Sequence, residues 1–206
     1  MNRGKFITLE GIEGVGKTTQ LQFIATYFSK KGHQTLITRE PGGTRTGESI
    51  RDILLHRGDL QIDPVTELLL MFAARAQHLQ EVVLPALSRG VIVVCDRFTD
   101  ATYAYQGGGR GIAQEQIRIL EEYVQKGLIP DLTLLFDASV ETGRQRANRR
   151  SEADRFEAEA SGFFNRIRQA YLDRASDEPG RIKVINAEQD ITAVEYEITR
   201  ILELVV

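Results

Sequence analysis

A glycine-rich segment near the start of the chain, residues 11–18 (GIEGVGKT), restricts the possible folds more than any other feature. It has the pattern G-x-x-x-x-G-K-[ST] and lies between an apolar stretch, residues 5–10, and a helical pattern, residues 19–31. In that context the glycines let backbone N–H groups turn around a phosphate, and the helix N-terminus adds positive partial charge. The segment therefore predicts a phosphate-binding loop for ATP or GTP.

Three side chains of this loop suggest specific chemistry. Lys17 can reach the β- and γ-phosphates, and the Thr18 hydroxyl can ligate Mg²⁺. Glu13 is unexpected, because a carboxylate repels phosphate; it either accepts a hydrogen bond from a substrate hydroxyl or is a solvated loop residue. The residues predicted to bind ATP are Gly11, Ile12, Glu13, Gly14, Val15, Gly16, Lys17 and Thr18.

Strand-like and helix-like patterns alternate along the rest of the chain. Residues 91–95 (VIVVC) and 132–136 (LTLLF) are apolar throughout, which is typical of strands covered on both faces. With residues 5–10, 35–38 and 182–185 they make five strands separated by helices. We predict an α/β fold of the P-loop NTPase type, with three layers, a five-stranded parallel sheet and flanking helices. In such folds ligands bind beyond the carboxyl ends of the strands.

The composition fits one domain. The chain has 206 residues, of which 42% are hydrophobic and 27% charged, and we predict a single domain over 1–206 with a short lid at about 144–156. The net charge of -3 does not favour a nucleic-acid partner. The N-terminus lacks a signal-peptide pattern, and no apolar run is long enough for a bilayer, so we expect a cytoplasmic protein with no membrane partner.

Charged residues follow two of the predicted strands, at the edge where a ligand would bind. Glu40 lies after the second strand, Arg51 on the next helix, and Asp96 and Arg97 directly after the third strand. A phosphotransferase needs positive groups between two anionic partners, and the planar guanidinium suits phosphate. Asp96 resembles the acidic residue that P-loop enzymes place near Mg²⁺, although it could instead cap a turn, and each arginine could form a surface ion pair.

A further group of residues could bind a nucleotide base. Phe72 and Arg75 are three residues apart and share a helix face, so a ring could stack on the base while the arginine binds its edge. Packing in the core is the other reading of Phe72. Thr102 and Gln106 could hydrogen-bond a base edge, and Tyr105 could form a steric wall. A buried polar group that only the right substrate can satisfy discriminates strongly between substrates.

These features resemble the thymidylate kinase family of P-loop nucleotide monophosphate kinases. The landmarks are GIEGVGKT at 11–18, REPGG at 39–43, FAAR at 72–75, DRF at 96–98 and AYQGGGRG at 104–111. They extend over nearly the whole chain, and their combination is far more specific than the phosphate loop alone. The resemblance implies transfer of the ATP γ-phosphate to dTMP with Mg²⁺, by a homodimer built through helices such as the one predicted at 64–87.

The resemblance also implies individual roles. The implied dTMP contacts are Glu13 at the deoxyribose 3′-hydroxyl, Arg51 and Arg97 at the phosphate, Phe72 stacked on thymine, Arg75, Thr102 and Gln106 at the base edge, and Tyr105 where a 2′-hydroxyl would lie. Thr18, Glu40 and Asp96 would hold Mg²⁺, partly through water. Many relatives carry the stacking aromatic residue where this chain has Met71, so that role would have moved by one residue.

The basic segment 144–155 (RQRANRRSEADR) is either a solvated charge run or a lid that closes over ATP and excludes water. Some members of the family carry an arginine in the phosphate loop, where this chain has Val15. The resemblance to the bacterial type therefore implies a catalytic arginine from the lid. Arg149, Arg150 and Arg155 are equal candidates, and with Lys17 and Arg97 they complete the predicted catalytic set.

Two other functions remain open at this point. Another P-loop nucleoside or nucleotide kinase would share the loop, but a nucleoside acceptor would leave Arg51 and Arg97 without a phosphate to bind. A GTPase-like switch should carry an N-K-x-D motif after a late strand. Here the fourth predicted strand leads into Asp137-Ala138-Ser139 instead.

Overall fold

The computed structural model describes residues 3–56, 61–147, 155–156 and 159–204. Its strands form one sheet in which all neighbours run parallel, in the spatial order β2-β3-β1-β4-β5. They are β1 (Phe6–Glu10), β2 (Thr35–Arg39), β3 (Ile92–Asp96), β4 (Leu132–Asp137) and β5 (Ile182–Asn186). The predicted α/β fold with a five-stranded parallel sheet is confirmed.

The three inner strands are buried because helices cover both faces of the sheet. Every residue of β1 is buried, as are all but the last residues of β3 and β4. This explains why the sequences of β3 and β4 show no alternation of polar and apolar residues. The hydroxyls of Thr8 and Thr133 lie 2.7 Å apart and so satisfy each other inside the sheet. Cys95 is buried on β3 as a small apolar residue would be.

Helices occupy the segments between the strands. They are α1 (Lys17–Lys30), α2 (Arg45–Leu55), α3 (Pro64–His78), α4 (Leu84–Ser88), α5 (Thr99–Thr102), α6 (Gln114–Gln125), α7 (Val140–Ala147), α8 (Ser161–Asp177) and α9 (Ile191–Leu202). α1 ends as the sequence predicts, with Gly32 in the left-handed conformation at φ 81°. α3 begins at Pro64, and the Asp63 side chain caps it by accepting from the Val65 N–H at 2.9 Å. Within the described residues, no helix has the length and apolar character that crossing a bilayer requires.

Two π-helical turns extend the helices. Leu79–Val83 joins α3 to α4, so the predicted long helix continues to Ser88 and widens just before Pro85. A proline lacks the N–H group and crowds the carbonyl four residues earlier, which a wider turn accommodates. Tyr103–Gly109 continues α5, although the sequence of this glycine-rich segment does not predict a helix. Its packing on α8 is so close that a Cβ at Gly108 would lie 2.6 Å from the Ala170 side chain.

Candidate nucleotide-binding site

A cavity of about 260 Å³ lies beyond the carboxyl ends of β1, β2 and β3. It is lined by the phosphate loop, the segment after β2, one face of α3 and the segment after β3. The predicted site residues on its wall are Glu13, Gly14, Gly16, Lys17, Thr18, Glu40, Arg51, Arg75, Asp96, Arg97, Thr102, Tyr105 and Gln106. Residues from five separate parts of the chain, with Arg51 of α2 as one of them, thus meet at the edge of the sheet where the topology places a ligand.

The loop after β1 has the geometry of a phosphate cradle. Gly14 has φ 76°, and a Cβ there would lie 2.0 Å from the Gly143 carbonyl oxygen, so only glycine fits. Lys17 is the first residue of α1, and its Nζ donates to the carbonyl oxygens of Gly11 (2.9 Å) and Ile12 (2.8 Å). Burial, with the nearby Arg97 charge, lowers the pKa of Lys17 to about 8. The ammonium is therefore held inside the loop at a position that an anion would stabilise.

The other loop residues divide between wall and core. Thr18 is exposed at the cavity, whereas Ile12 and Val15 are buried in the main hydrophobic core. Their contribution to ATP binding would come from their backbone N–H groups, which is how such loops hold phosphate.

Glu13, Arg97 and Tyr105 form one connected group on the cavity wall. Arg97 donates from Nη2 to Glu13 Oε1 at 2.7 Å and from Nη1 to the Gly11 carbonyl oxygen at 2.8 Å. The Tyr105 hydroxyl lies 2.7 and 2.8 Å from the two oxygens of Glu13 and donates its one proton to that carboxylate. The Arg97 guanidinium stacks on the Tyr105 ring. Arg97 has φ 67°, a strained conformation for a residue with a side chain, and such strain concentrates at functional sites.

Arg51 approaches the same space from α2. Its Nη1 donates to the Pro41 carbonyl oxygen at 2.8 Å, which holds the guanidinium beside the loop after β2. That loop is itself fixed by Glu48, which accepts from the Gly43 N–H at 2.8 Å and from Arg39 at 2.8 Å. Arg51 and Arg97 both line the cavity, so two guanidinium groups are available to one anion.

Asp96 has a carboxylate oxygen, Oδ1, that is buried and has no hydrogen-bond partner among the described residues. An unpaired buried carboxylate oxygen is costly, and a cation or an ordered water would relieve the cost. The exposed Thr18 hydroxyl lines the same cavity as Asp96. These two oxygen ligands fit a Mg²⁺ ion that keeps most of its waters. The described residues contain no cluster of three or more His, Cys, Asp or Glu side chains that could hold a metal by itself.

Glu40 was predicted to organise Mg²⁺, but the structure gives its carboxylate two other partners. Oε2 accepts from Arg75 Nε at 2.7 Å, and Oε1 lies 2.9 Å from Nδ1 of His78. Burial opposes ionisation, but Arg75 and His78 outweigh it and lower the pKa of Glu40. The far nitrogen of His78 pairs with the Thr38 hydroxyl at 2.7 Å. Glu40 therefore fixes Arg75 in place.

Arg75 is held in place by several contacts. Besides the ion pair with Glu40, its Nη2 donates to the Thr102 hydroxyl at 3.0 Å, and its guanidinium lies between the rings of Phe72 and Phe98. Its remaining nitrogen, Nη1, is buried and has no partner in the described part of the chain. One NH₂ group is thus left over on a side chain that lines the cavity.

Phe72 does not lie on the cavity wall as the predicted stacking on a base requires. It is buried in a small cluster with Leu68, Tyr103 and Ile117, behind the Arg75 guanidinium. Met71 lines the cavity instead. Successive residues of a helix are rotated by about 100°, so a shift of one position moves a side chain from the wall into the core.

The predicted lid is described only in part. Arg149 and Arg150 lie outside the described residues. Arg155 donates to Glu67 Oε2 at 2.5 Å and to the Leu54 carbonyl oxygen at 2.8 Å, and it is not among the residues on the cavity wall. Its position follows from Glu67, a fully buried carboxylate that needs cationic partners. In this conformation Arg155 forms an ion pair with Glu67 on α3.

Several residues that shape the site were not singled out from the sequence. Glu67 and His78 lie on the same face of α3 as Arg75, a spacing that could have revealed them. Glu10 accepts from the Phe98 N–H at 2.7 Å and from the Tyr171 hydroxyl at 2.8 Å. Burial, with the neighbouring Asp100, raises the pKa of Glu10 to about 8. Its partners come from distant parts of the chain, so nothing local in the sequence indicates them.

A parallel sheet with a phosphate loop at its edge, and with Arg51 and Arg97 on the same cavity as Lys17, defines a phosphotransferase of the P-loop class. The sequence model of the family described as thymidylate kinase matches residues 9–198. The chain is 56% identical to the thymidylate kinase of Thiobacillus denitrificans, over 97% of both chains. It is 53% identical to that of Pseudomonas savastanoi pv. phaseolicola, over 97% of this chain and 95% of the relative.

A solved structure also indicates the thymidylate kinase family. The crystal structure of thymidylate kinase from Ehrlichia chaffeensis matches with a TM-score of 0.79 and 33% sequence identity, over 97% of this chain and 99% of that one. The chain belongs to the thymidylate kinase family and is a nucleotide kinase. The resemblance seen in the sequence motifs is confirmed.

Proposed function

We propose that this enzyme transfers the γ-phosphate of ATP to dTMP, giving ADP and dTDP. Family membership over nearly the full chain supports this reaction. The observation that carries it is that Lys17 of the phosphate loop and two arginines, Arg51 and Arg97, line one cavity, where Lys17 and Arg97 both donate to the Gly11 carbonyl oxygen. Such an arrangement can hold two phosphate chains end to end. An acceptor without a phosphate would leave both arginines unused, which disfavours a nucleoside kinase.

The donor side would bind the phosphates of ATP in the loop of residues 11–18. The Lys17 ammonium would leave the carbonyl oxygens of Gly11 and Ile12 for the β- and γ-phosphate oxygens. Thr18, with Asp96 through water, would hold Mg²⁺, which neutralises charge on the phosphates when bound. Glu40, fully engaged with Arg75 and His78, would act on the acceptor side instead.

The acceptor phosphate would lie between Arg51 and Arg97. The contact of Arg97 with the Gly11 carbonyl oxygen joins this subsite to the phosphate loop, so the same guanidinium could touch acceptor and transferred phosphoryl group. Catalysis in this reaction is mainly positioning and charge stabilisation. Arg149, Arg150 and Arg155 remain the candidates for a further guanidinium from the lid.

The base would be read by Arg75, Thr102 and Gln106. The free Nη1 of Arg75 suits a ring carbonyl oxygen of thymine, and the ion pair with Glu40 holds the Arg75 guanidinium in position. Met71 and Phe98 give the cavity apolar walls for the ring, in place of the stacking first expected from Phe72.

Glu13 and Tyr105 would surround the sugar. The Glu13 carboxylate can accept from the 3′-hydroxyl of deoxyribose, because each of its oxygens has more than one lone pair. The Tyr105 hydroxyl, bound to Glu13, would fill the space that a 2′-hydroxyl needs.

A panel of acceptors tests this proposal. With ATP and Mg²⁺ we expect turnover of dTMP, at least tenfold lower kcat/KM with UMP and dCMP, and no measurable turnover of thymidine. Release of ADP should require dTMP. A GTPase-like switch would instead hydrolyse its bound nucleotide without any acceptor. Equal rates with dTMP and thymidine would disprove the proposed acceptor subsite.

The enzyme would act as a homodimer. The α3 side chains Val65, Leu69 and Ala73 are exposed at intervals of four residues, and the neighbouring α2 exposes Ile53. An apolar stripe of this kind on a long helix is suited to packing against a second copy of itself about a two-fold axis.

A further inference from the structure

A fully buried carboxylate, Glu67 on α3, sits directly behind the cavity wall. Its Oε1 accepts from the side-chain nitrogen Nε2 of Gln106 at 2.8 Å and from Arg110 Nε at 3.3 Å. Its Oε2 accepts from Arg155 Nη2 at 2.5 Å. Two guanidinium groups thus balance the Glu67 charge, and the remaining contact goes to a residue that lines the nucleotide cavity.

The contact between Glu67 and Gln106 fixes which end of the amide faces Glu67. An ionised carboxylate can only accept hydrogen bonds, whereas a glutamine amide has a donating NH₂ end and an accepting carbonyl end. The NH₂ group of Gln106 must therefore point at Glu67. The carbonyl oxygen becomes the group that Gln106 can offer to a molecule in the cavity, and Gln106 is itself 1% exposed.

A carbonyl oxygen at this position selects among pyrimidines. Thymine carries an N–H group at ring position 3 beside a carbonyl oxygen, and cytosine carries a lone pair there beside an amino group. A Gln106 acceptor and an Arg75 donor on the same cavity match the thymine edge and oppose both groups of cytosine. If the amide turned over, its NH₂ group would match the ring nitrogen of cytosine.

We infer that Glu67 is a positioning residue for base selection: it holds Gln106 in the amide orientation that accepts from thymine and rejects cytosine. The inference rests on the proposed function, since it concerns the base of the acceptor nucleotide. Glu67 itself does not touch the substrate, and it acts through Gln106.

The variant Glu67→Gln tests the inference. A glutamine at 67 can donate or accept, so the Gln106 amide is free to turn over. We expect the ratio of kcat/KM for dTMP to that for dCMP to fall about tenfold or more, with the value for dCMP rising above wild type. A purely structural loss would lower both values together. A variant that keeps the wild-type ratio would overturn the inference.

A double-mutant cycle asks whether Glu67 acts through Gln106. In a Gln106→Leu background, Glu67→Gln should change the dTMP/dCMP ratio by less than twofold, and an undiminished effect in that background would contradict the inference. Arg110→Met is the matched control, because it removes an ion pair of Glu67 but leaves the Gln106 contact, and it should keep the wild-type ratio.

Two further measurements keep the result interpretable. If Glu67→Gln does not fold, Glu67→Asp retains the charge for both arginines and withdraws the carboxylate from Gln106 by one methylene; it should show the same fall in ratio. A retained ratio in that variant would count against the inference. Wild-type enzyme without any preference for dTMP over dCMP would instead refute the proposed function, so the two failures are distinguishable.

Discussion

The Glu13 carboxylate and the Arg97 guanidinium are joined by a 2.7 Å hydrogen bond that links the phosphate loop to the first residue after β3. Both residues also bind Tyr105, by hydrogen bonds from its hydroxyl to Glu13 and by stacking of Arg97 on its ring. The phosphate loop and the proposed acceptor subsite are thereby directly connected. A change at Arg97 should disturb acceptor binding and phosphoryl transfer together.

We predict that Arg97→Met lowers kcat/KM for dTMP by about 10³-fold, equivalent to about 4 kcal/mol of transition-state stabilisation. The variant loses a charge next to the transferred group and leaves Glu13 without its cationic partner. Steady-state kinetics with varied dTMP measures the loss. The control is Arg118→Met on α6, which breaks only exposed ion pairs with Glu115 and Glu122 and should change kcat/KM by less than about twofold. A loss in Arg97→Met no larger than in the control would contradict this role.

The pKa of Lys17 leads to a pH dependence of nucleotide binding. In the free protein burial lowers the pKa of Lys17 to about 8, so the ammonium loses its proton as the pH rises through that value. A bound phosphate chain favours the protonated form, and binding above pH 8 must therefore take up a proton. We expect the affinity for ADP to be constant from about pH 7 to 8 and to fall above it, by at most about tenfold per pH unit. Calorimetry in buffers of different ionisation enthalpy measures both effects.

Lys17→Met provides the matched comparison for that titration. This variant should bind ADP more weakly at every pH. Its affinity should not change with pH above pH 8, and its residue 17 should take up no proton when ADP binds. Turnover should drop below about a tenth of the wild-type rate because the contact with the transferred group is lost. Wild-type affinity that stays flat up to about pH 10 would contradict a lowered pKa of Lys17, and an unchanged ADP affinity in Lys17→Met would rule out Lys17 as the phosphate ligand.

Glu40 and Asp96 should respond differently to magnesium. Glu40→Gln weakens the ion pair that aims Arg75, so we expect the KM for dTMP to rise about tenfold with no change in the Mg²⁺ concentration that gives half-maximal rate. Asp96→Asn removes a negative charge from the cavity that Thr18 also lines, and the Mg²⁺ concentration for half-maximal rate should rise several-fold. Rates measured over a grid of dTMP and Mg²⁺ concentrations separate the two effects. A Mg²⁺ shift in Glu40→Gln alone would restore the original prediction that Glu40 organises the ion.

The proposed dimer can be tested through the exposed stripe of α3. Leu69→Asp places a charge in an apolar contact, and we expect it to shift the protein from dimer to monomer in sedimentation equilibrium. Tyr196→Asp is the control, because Tyr196 is also exposed but lies on α9, which packs against the edge strand β5. A Leu69→Asp protein that sediments as the wild type does would argue against this face.

The sequence by itself determined the parallel α/β fold and the phosphate loop. These follow from local patterns: unbroken apolar strands, and four fixed positions between a strand and a helix. It also placed Arg51, Arg75, Arg97, Thr102, Tyr105 and Gln106 near the carboxyl ends of the strands, because in a parallel sheet those ends share one edge. The positions of these residues on one cavity wall agree with that reasoning.

The tertiary structure alone decided which partner each polar group has. Phe72 and Met71 differ by one helical position, and only the packing of α3 on Tyr103 and Ile117 turns Phe72 inward. The Glu40 carboxylate could bind either partner, and the approach of Arg75 and His78 from α3 pairs it with those two side chains. A hydrogen bond joins atoms that are close in space and distant in the chain, so its partners are fixed only when the helices and the sheet are packed together.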